Sequence, residues 1–140
     1  MVLTIEVPVG LEAIAPAQMQ VTAWADSQAL PAPVAYKLAL VLEELLANLA
    51  MHGRFDGPPP PVRLRLECDG AEVRAVIEDA AAPFDPIAAP APAPVRLDDD
   101  RVGGLGLPLV RKMADRLGYG TAADGWNRTE VAVRLAASTG

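Results

Sequence analysis

The sequence predicts an α/β fold, a two-layer sandwich in which about three helices cover one face of a mixed β-sheet. Residues 2–9 and 62–68 alternate apolar and polar side chains, which is the two-residue period of a half-buried strand. Between them, the apolar residues of segment 34–52 recur with the 3.6-residue period of a helix that has one buried face. A chain of 140 residues is long enough for one core, so we expect a single domain, residues 1–140.

Proline and glycine separate the first predicted elements. Pro8 and Gly10 end the first strand, and residues 11–27 carry an imperfect helical pattern. Pro33 suits the start of the long helix, because the N–H that proline lacks is unpaired in a first turn anyway. Gly53 ends that helix.

The middle of the chain predicts a β-hairpin followed by a long loop. Asp69 and Gly70 precede a return strand, residues 72–78, and this dipeptide is typical of a type I′ turn with positive φ at both central positions. The return strand delivers Asp79 at its C-terminal end. In residues 87–102 proline alternates with alanine, which suits neither a helix nor an inner strand, so this segment is predicted to be a lid.

The last third of the chain predicts one helix and two strands. Residues 107–117 form an amphipathic pattern in which Leu117 is one of the inward positions. Two short strands, residues 119–122 and 129–135, flank a turn at residues 124–125. The predicted order is therefore β-α-α-β-β-lid-α-β-β.

Composition argues against several classes of protein. The net charge of −6 disfavours general nucleic-acid binding, which needs clustered Lys and Arg. No apolar run approaches the roughly 18 residues of a membrane span. The first residues lack a basic segment and include Glu6, so we expect no signal peptide. Cys68 is the only cysteine, which excludes an internal disulfide, fits a reducing cytoplasm and, with a single histidine, excludes a Cys/His zinc site within this chain.

A column of polar residues lies along the long helix. Glu44, Asn48 and His52 are spaced at i, i+4 and i+8, so they lie one above another on one face. A carboxylate and an amide one turn apart suit a water molecule or a hydrated Mg²⁺, because both supply hard oxygen ligands. The column by itself fits an ordinary solvated helix face better than a ligand site, because surface helices often carry Glu and Asn.

Two later segments carry further candidate chemistry. Asp79 follows an apolar strand, and an acid buried there needs a hydrogen-bond donor, although an Asp that simply turns the chain is the alternative. Gly103, Gly104 and Gly106 are predicted to form a loop that opens a helix, where unpaired N–H groups bind phosphate well. A plain turn is the alternative there. Leu109 rules out the dinucleotide glycine fingerprint, and no Walker A sequence occurs.

In sequence order, these motifs are Glu-x-x-x-Asn at residues 44–48, Asp-x-x-x-Pro-Phe-Asp-Pro at 79–86 and Gly-Leu-Gly-Leu at 104–107. Their order and spacing resemble the ATP-binding domain shared by gyrase and sensor histidine kinases, the GHKL or Bergerat fold. More closely, the chain resembles the small bacterial anti-sigma-factor serine/threonine kinases built from that domain. The resemblance extends from the first strand to residues 127–131.

The resemblance implies a role for each motif. Asp79 would accept a hydrogen bond from the adenine 6-amino group, with Phe84 in the same cofactor-binding segment. Ala81 departs from the family, which has glycine at this position, so its methyl group would narrow the pocket or restrict a positive φ. Asn48 would bind Mg²⁺, and Glu44 would act as the general base.

The resemblance also implies which residues bind the phosphates and the rest of the cofactor. The implied phosphate-binding and cofactor-binding residues are Arg101, Gly103, Gly104, Leu105, Gly106, Leu107 and Thr129. Arg101 would reach the phosphates when the lid closes. His52 matches a frequent family position, where a structural hydrogen bond is expected rather than catalysis.

By resemblance, the expected function is that of an ATP- and Mg²⁺-dependent protein serine kinase. Such a kinase acts as an anti-sigma factor, phosphorylates a small antagonist protein and alternately sequesters a sigma factor. A homodimer is expected on the same ground. Two alternatives stay open: a nucleotide-responsive or degenerate binding switch without phosphotransfer, and a simple ATPase in which Glu44 activates water.

Overall fold

The computed structural model describes residues 2–82 and 102–136, with the backbone alone for residues 102–107. The strands are β1 Val2–Val7, β2 Val62–Cys68, β3 Glu72–Asp79, β4 Arg116–Thr121 and β5 Asn127–Arg134. The helices are α1 Ile14–Ser27, which follows a 3₁₀ turn at Leu11–Ala13, α2 Ala32–His52 and α3 Val102–Met113. The predicted element order is confirmed.

The strands form one sheet in the order β1-β2-β3-β5-β4. The α/β two-layer class is confirmed, but the expectation of a mixed sheet is wrong, because every described strand pair is antiparallel. The connection through α3 returns β4 in the same direction as β3. These two strands do not pair, however, because β5 lies between them and runs antiparallel to both.

One face of the sheet and the apolar stripe of α2 form the core. α2 packs between α1 and α3, and its side chains at Leu38, Val41 and Leu42 are almost completely buried. They meet inward-facing strand residues such as Leu64 and Ile77, which are paired across β2 and β3. None of the helices in the described part of the chain combines the length and hydropathy that a membrane crossing requires.

The opposite face of the sheet carries charged side chains in cross-strand pairs. Arg74 on β3 lies 3.3 Å from Glu67 on β2 and 3.9 Å from Glu130 on β5. Exposed ion pairs of this kind contribute roughly 0–1 kcal/mol each. The charged face therefore fixes strand register more than it stabilises the fold.

The β2–β3 hairpin differs from the predicted type I′ turn. The Asp69 N–H donates to the carbonyl of Glu72 at 3.2 Å, so Gly70 and Ala71 are the two central residues. Only Gly70 has a positive φ, of 91°, which is the pattern of a type II′ turn. A type I′ turn would need positive φ at Ala71 as well, which its Cβ disfavours. The Asp69 carboxylate holds the turn by accepting hydrogen bonds from the N–H groups of Ala71 and Glu72, both at 2.9 Å. The turn predicted at residues 124–125 is confirmed, with Gly125 at φ 91°.

The third helix begins and ends earlier than residues 107–117. It spans Val102–Met113, so Pro108 lies inside it rather than in its first turn. It ends at Met113 because the chain joins the sheet at once: the N–H of Asp115 donates to the carbonyl of Ala132 at 2.9 Å. Leu117 therefore packs against the core from β4, not from the helix.

The last two strands begin earlier than predicted and are longer. Residues 116–118 of β4 pair with residues 130–132 of β5, and residues 127–128 of β5 pair with residues 120–121 of β4. The predicted lid, residues 87–102, lies outside the described residues except for Val102, the first residue of α3. The extent of the single domain over residues 1–140 stays a prediction.

Candidate functional site

A buried carboxylate ends β3. Asp79 lies on the core-facing side of the sheet and is 6% exposed. Its Oδ1 accepts two hydrogen bonds, from Nδ2 of Asn127 at 2.9 Å and from the backbone N–H of Ala81 at 3.0 Å. Within the described part of the chain, Oδ2 accepts none. Burial raises the pKa of the Asp79 carboxyl, and the two hydrogen bonds oppose that rise.

Asn127, which contacts Asp79, is itself held by several hydrogen bonds. It lies directly opposite Asp79 in the β3–β5 register, and its side chain is also buried. The Tyr119 hydroxyl donates to Oδ1 of Asn127 at 2.7 Å, while Nδ2 donates to the carbonyl of Ala81 at 2.8 Å as well as to Asp79. Sequence reasoning did not assign Asn127 or Tyr119 to the site. The sequence carried no signal for Asn127, because the last strand was predicted to begin at residue 129 and β5 begins at Asn127.

The turn that follows Asp79 is tied to the end of α2. The N–H of Ala82 donates to the carbonyl of Arg54 at 2.7 Å. Arg54 follows Gly53, the C-cap of α2, where a Cβ would lie 2.5 Å from the carbonyl oxygen of Leu49. Gly53 has negative φ, so glycine is needed there for space rather than for conformation. The Asp79 turn therefore lies beside the last turns of α2.

The predicted polar column lies on α2. Glu44 and Asn48 are half-buried, and His52 is exposed in the last turn of the helix. Burial raises the pKa of Glu44, and the neighbouring charge of Glu43 raises it further. A raised pKa makes a carboxylate a better proton acceptor. Over the described residues, no group of three or more His, Cys, Asp or Glu side chains is placed to hold a metal ion.

The glycines of the predicted phosphate loop are helical. Gly103, Gly104 and Gly106, with Leu105 and Leu107, lie in the N-terminal half of α3, so the expectation that they form a loop before the helix is wrong. The apolar period of this helix extends back through the glycine segment to Val102, which explains the early start. The amides of the first turn still lack intrahelical acceptors, as at any helix start. α3 packs against α2, so its residues and the polar column lie on adjacent helices.

The remaining predicted site residues fall in two groups. Thr129 is buried on β5, in the core-facing row with Tyr119 and Ile77. Phe84 and Arg101 lie outside the described residues.

On the outer face of the sheet, Arg63 joins the strand ends that carry the site. Its guanidinium lies 3.2 Å from Glu78 and 2.7 Å from Asp124, and stacks 4.1 Å from the centre of the Trp126 ring. Glu78 and Trp126 directly precede Asp79 and Asn127, whose side chains point to the opposite face. Arg63 therefore ties β2 to both strand ends from outside.

Comparison with known proteins identifies the class of this domain. A family model described as the histidine kinase-like ATPase domain matches residues 7–135, nearly the whole chain. The chain belongs to the histidine kinase-like ATPase family. The matched residues include Glu44, Asn48, Asp79 and Thr129. The resemblance to the ATP-binding domain of this class is confirmed.

Two known proteins are similar to this histidine kinase-like ATPase domain, one in sequence and one in structure. The serine/threonine-protein kinase BtrW of Bordetella bronchiseptica is 38% identical over 93 residues, which are 66% of this chain and 65% of BtrW. The alignment thus covers a little less than two thirds of BtrW. The crystal structure of the SiaB–SiaC complex from Pseudomonas aeruginosa contains a chain that matches with a TM-score of 0.58 at 13% identity. The match covers 95% of this chain and 89% of that chain. At that identity the likeness shows the fold alone.

Asp79→Asn should not destabilise the ligand-free domain at neutral pH. The amide keeps an acceptor for Asn127 and Ala81, and it removes the cost of burying a charge. A carboxyl with a raised pKa contributes stability that is complete below the unfolded value, about 3.9, and is lost as pH rises through the folded pKa. The stability difference in favour of the variant should therefore grow as pH rises through that window. Urea unfolding across pH measures it, and a difference that shrinks with rising pH would contradict the assignment.

Ala81→Gly should lower stability by about 0.4–1 kcal/mol, because glycine gives the unfolded chain more freedom where φ is negative. Among the described non-glycine residues, positive φ occurs at Ala29 alone, so Ala81 is unstrained and its methyl group restricts no positive φ. Ala80→Gly is the matched control. Ala80 lies in the same turn, but among the described residues it does not make the two hydrogen bonds that the N–H and carbonyl of Ala81 make. A gain in stability at Ala81 would show that the alanine is strained.

Proposed function

We propose that this protein binds Mg²⁺-ATP between the C-terminal half of α2, the Asp79 turn and the start of α3, and transfers the γ-phosphoryl group to a protein serine. The observation that carries the proposal is the buried Asp79 carboxylate, whose Oδ1 is fully used by protein donors while Oδ2 accepts no hydrogen bond from the described residues. The residue is 6% exposed, so a donor from outside the chain could reach this open oxygen while most of the carboxylate stays out of water.

The purine 6-amino group has the chemistry that this acceptor requires. It would donate to Oδ2 of Asp79 in a charge-assisted hydrogen bond. A 6-oxo group would instead place an acceptor against a carboxylate, which is repulsive. The Ala82–Arg54 hydrogen bond sets this acceptor beside the end of α2, where the polar column lies. Phe84 and Ala81 complete the adenine side in the proposal.

In this proposal, residues of the polar column of α2 bind the metal ion and act in the transfer of the phosphoryl group. Asn48 offers one oxygen ligand to Mg²⁺, which commonly uses few protein ligands together with phosphate and water. Glu44, one turn earlier, has a raised pKa and suits a general base that orients the serine hydroxyl. The N–H groups at the start of α3 would meet the phosphates, with Arg101 and Thr129 as further ligands.

The similarity to BtrW supports a protein kinase, because BtrW is named a serine/threonine-protein kinase. The structural match to the SiaB–SiaC complex, which contains two proteins, supports a protein partner. We therefore propose an anti-sigma regulatory role in the cytoplasm, with a sigma factor and a small antagonist protein as partners and a homodimer as the working form. A simple ATPase and a non-catalytic binding switch are the other outcomes of the tests below.

Asp79→Asn tests the adenine contact. The variant keeps the fold but loses the charged acceptor, so Mg²⁺-ATP should bind more weakly by about 1.5–3 kcal/mol, or roughly 10–100-fold. Isothermal titration calorimetry with Mg²⁺-ATP measures the change. Equal affinity in parent and variant would remove Asp79 from the adenine site, and no ATP binding to the parent would end the proposal.

Glu44→Gln and Asn48→Ala should separate chemistry from binding. Glu44→Gln keeps shape but loses basicity, so ADP production should fall by about 10²–10⁴-fold with little change in nucleotide affinity. Glu12→Gln, at an exposed glutamate outside α2, is the control and should retain turnover. Asn48→Ala should weaken Mg²⁺-dependent binding instead. Unchanged ADP production by Glu44→Gln would contradict the general-base role, and a parent that binds Mg²⁺-ATP without producing ADP would favour the binding switch.

A further inference from the structure

We propose that Asn127, held in place by Tyr119 and the carbonyl of Ala81, is the positioning residue that directs the Asp79 carboxylate to the purine and sets the preference for a 6-amino over a 6-oxo base. The proposal rests on the nucleotide site proposed above. It concerns two side chains that touch the carboxylate directly or through one hydrogen bond.

The amide of Asn127 has one orientation that satisfies its neighbours. A side-chain amide offers two N–H donors and one oxygen acceptor. Here the donors reach Oδ1 of Asp79 at 2.9 Å and the carbonyl of Ala81 at 2.8 Å, and the oxygen accepts from the Tyr119 hydroxyl at 2.7 Å. A flipped amide would turn its oxygen against the Asp79 carboxylate and the Ala81 carbonyl and lose both of those bonds. These two acceptors therefore select the donor orientation, and the Tyr119 hydroxyl holds the amide in it by donating to its oxygen.

This orientation decides which oxygen of Asp79 is left for a ligand. Asn127 and the N–H of Ala81 both donate to Oδ1, so the carboxylate is pinned through one oxygen and presents the other. The same amide holds the carbonyl of Ala81, and the next residue, Ala82, bonds to Arg54 after α2. Asn127 thus positions the carboxylate and the turn together. In a buried site such a connected network is worth more than separate bonds.

The charge state of Asp79 gives this geometry a consequence for base selectivity. Burial raises the pKa of Asp79, and among the described side chains Asn127 is the one whose hydrogen bond lowers it. Without Asn127 the carboxyl holds its proton to higher pH. The protonated fraction can donate a hydrogen bond to a 6-oxo purine, which the carboxylate repels. Loss of Asn127 should therefore weaken ATP binding and narrow the gap between ATP and GTP.

The test compares Asn127→Leu and Tyr119→Phe with the parent and with Tyr36→Phe, a matched control at a tyrosine that is 66% exposed on α2. The first readout is the titration of the Asp79 carboxyl carbon by ¹³C NMR in the ligand-free protein, assigned with Asp79→Asn. The second is the affinity for Mg²⁺-ATP and for Mg²⁺-GTP by calorimetry. The third is the affinity of the Asp79→Asn/Asn127→Leu double variant for both nucleotides.

The expected results follow from the loss of one charge-assisted hydrogen bond. Asn127→Leu should raise the pKa of Asp79, weaken ATP binding by about tenfold or more and lower the ATP:GTP affinity ratio. Tyr119→Phe should shift both readouts in the same direction by less, and it keeps the test valid if Asn127→Leu fails to fold. In the Asp79→Asn background, Asn127→Leu should change the ratio no further, since the coupling is gone.

Different results separate this inference from the function on which it rests. An unchanged Asp79 pKa and an unchanged ATP:GTP ratio in both folded variants would overturn it. A parent that binds neither nucleotide would end the proposed function and the base-selectivity half of this inference. A raised Asp79 pKa in Asn127→Leu would still support the positioning of the carboxylate in that case. Equal shifts in Tyr36→Phe would assign the effect to general destabilisation and count against the proposal.

Discussion

The site depends on one constraint: a carboxylate removed from water at the end of an inner strand. Asp79 has no cation among its hydrogen-bond partners in the described part of the chain, and burial raises its pKa, so its ionised form is held by two neutral donors. A buried carboxylate without a cation destabilises the folded state, and such groups occur mainly at binding or catalytic sites. Hydrogen bonds from its neighbours reduce this cost. Asn127 and Tyr119 complete the network, and the N–H of Ala82 donates to the carbonyl of Arg54, just after α2.

The long helix α2 links the core to the chemistry. Its apolar stripe is nearly inaccessible to water, which fixes the rotation of the helix about its axis. That rotation leaves Glu44 and Asn48 half-buried at the margin of the stripe. A side chain at such a margin loses enough water to shift its pKa but keeps access to a ligand. Packing energy in the core thus holds the polar column in place.

The sheet supplies the second half of the site by its strand order. β5 inserts between β3 and β4, which brings Asn127 opposite Asp79 and Tyr119 opposite Thr129. On the other face, Arg63 ties the same strand ends to β2 through Glu78 and Asp124. Hence the side chains of the network around Asp79 come from β4 and β5, which follow β3 only after α3, and Asn127 lies 48 positions beyond Asp79. Their pairing, rather than any local motif, creates the buried network.

The sequence by itself determined the α/β class, the order of the strands and helices, and the face of α2 that is buried, because these follow from local apolar periods and turn residues. Tertiary structure decided what depends on pairing. The wholly antiparallel sheet, the early end of α3 and the placement of Leu117 on β4 reflect strand insertion and the Asp115–Ala132 hydrogen bond. The role of Asn127 could not be predicted either. Its partner lies 48 positions earlier, and a contact at that separation leaves no local period in the sequence.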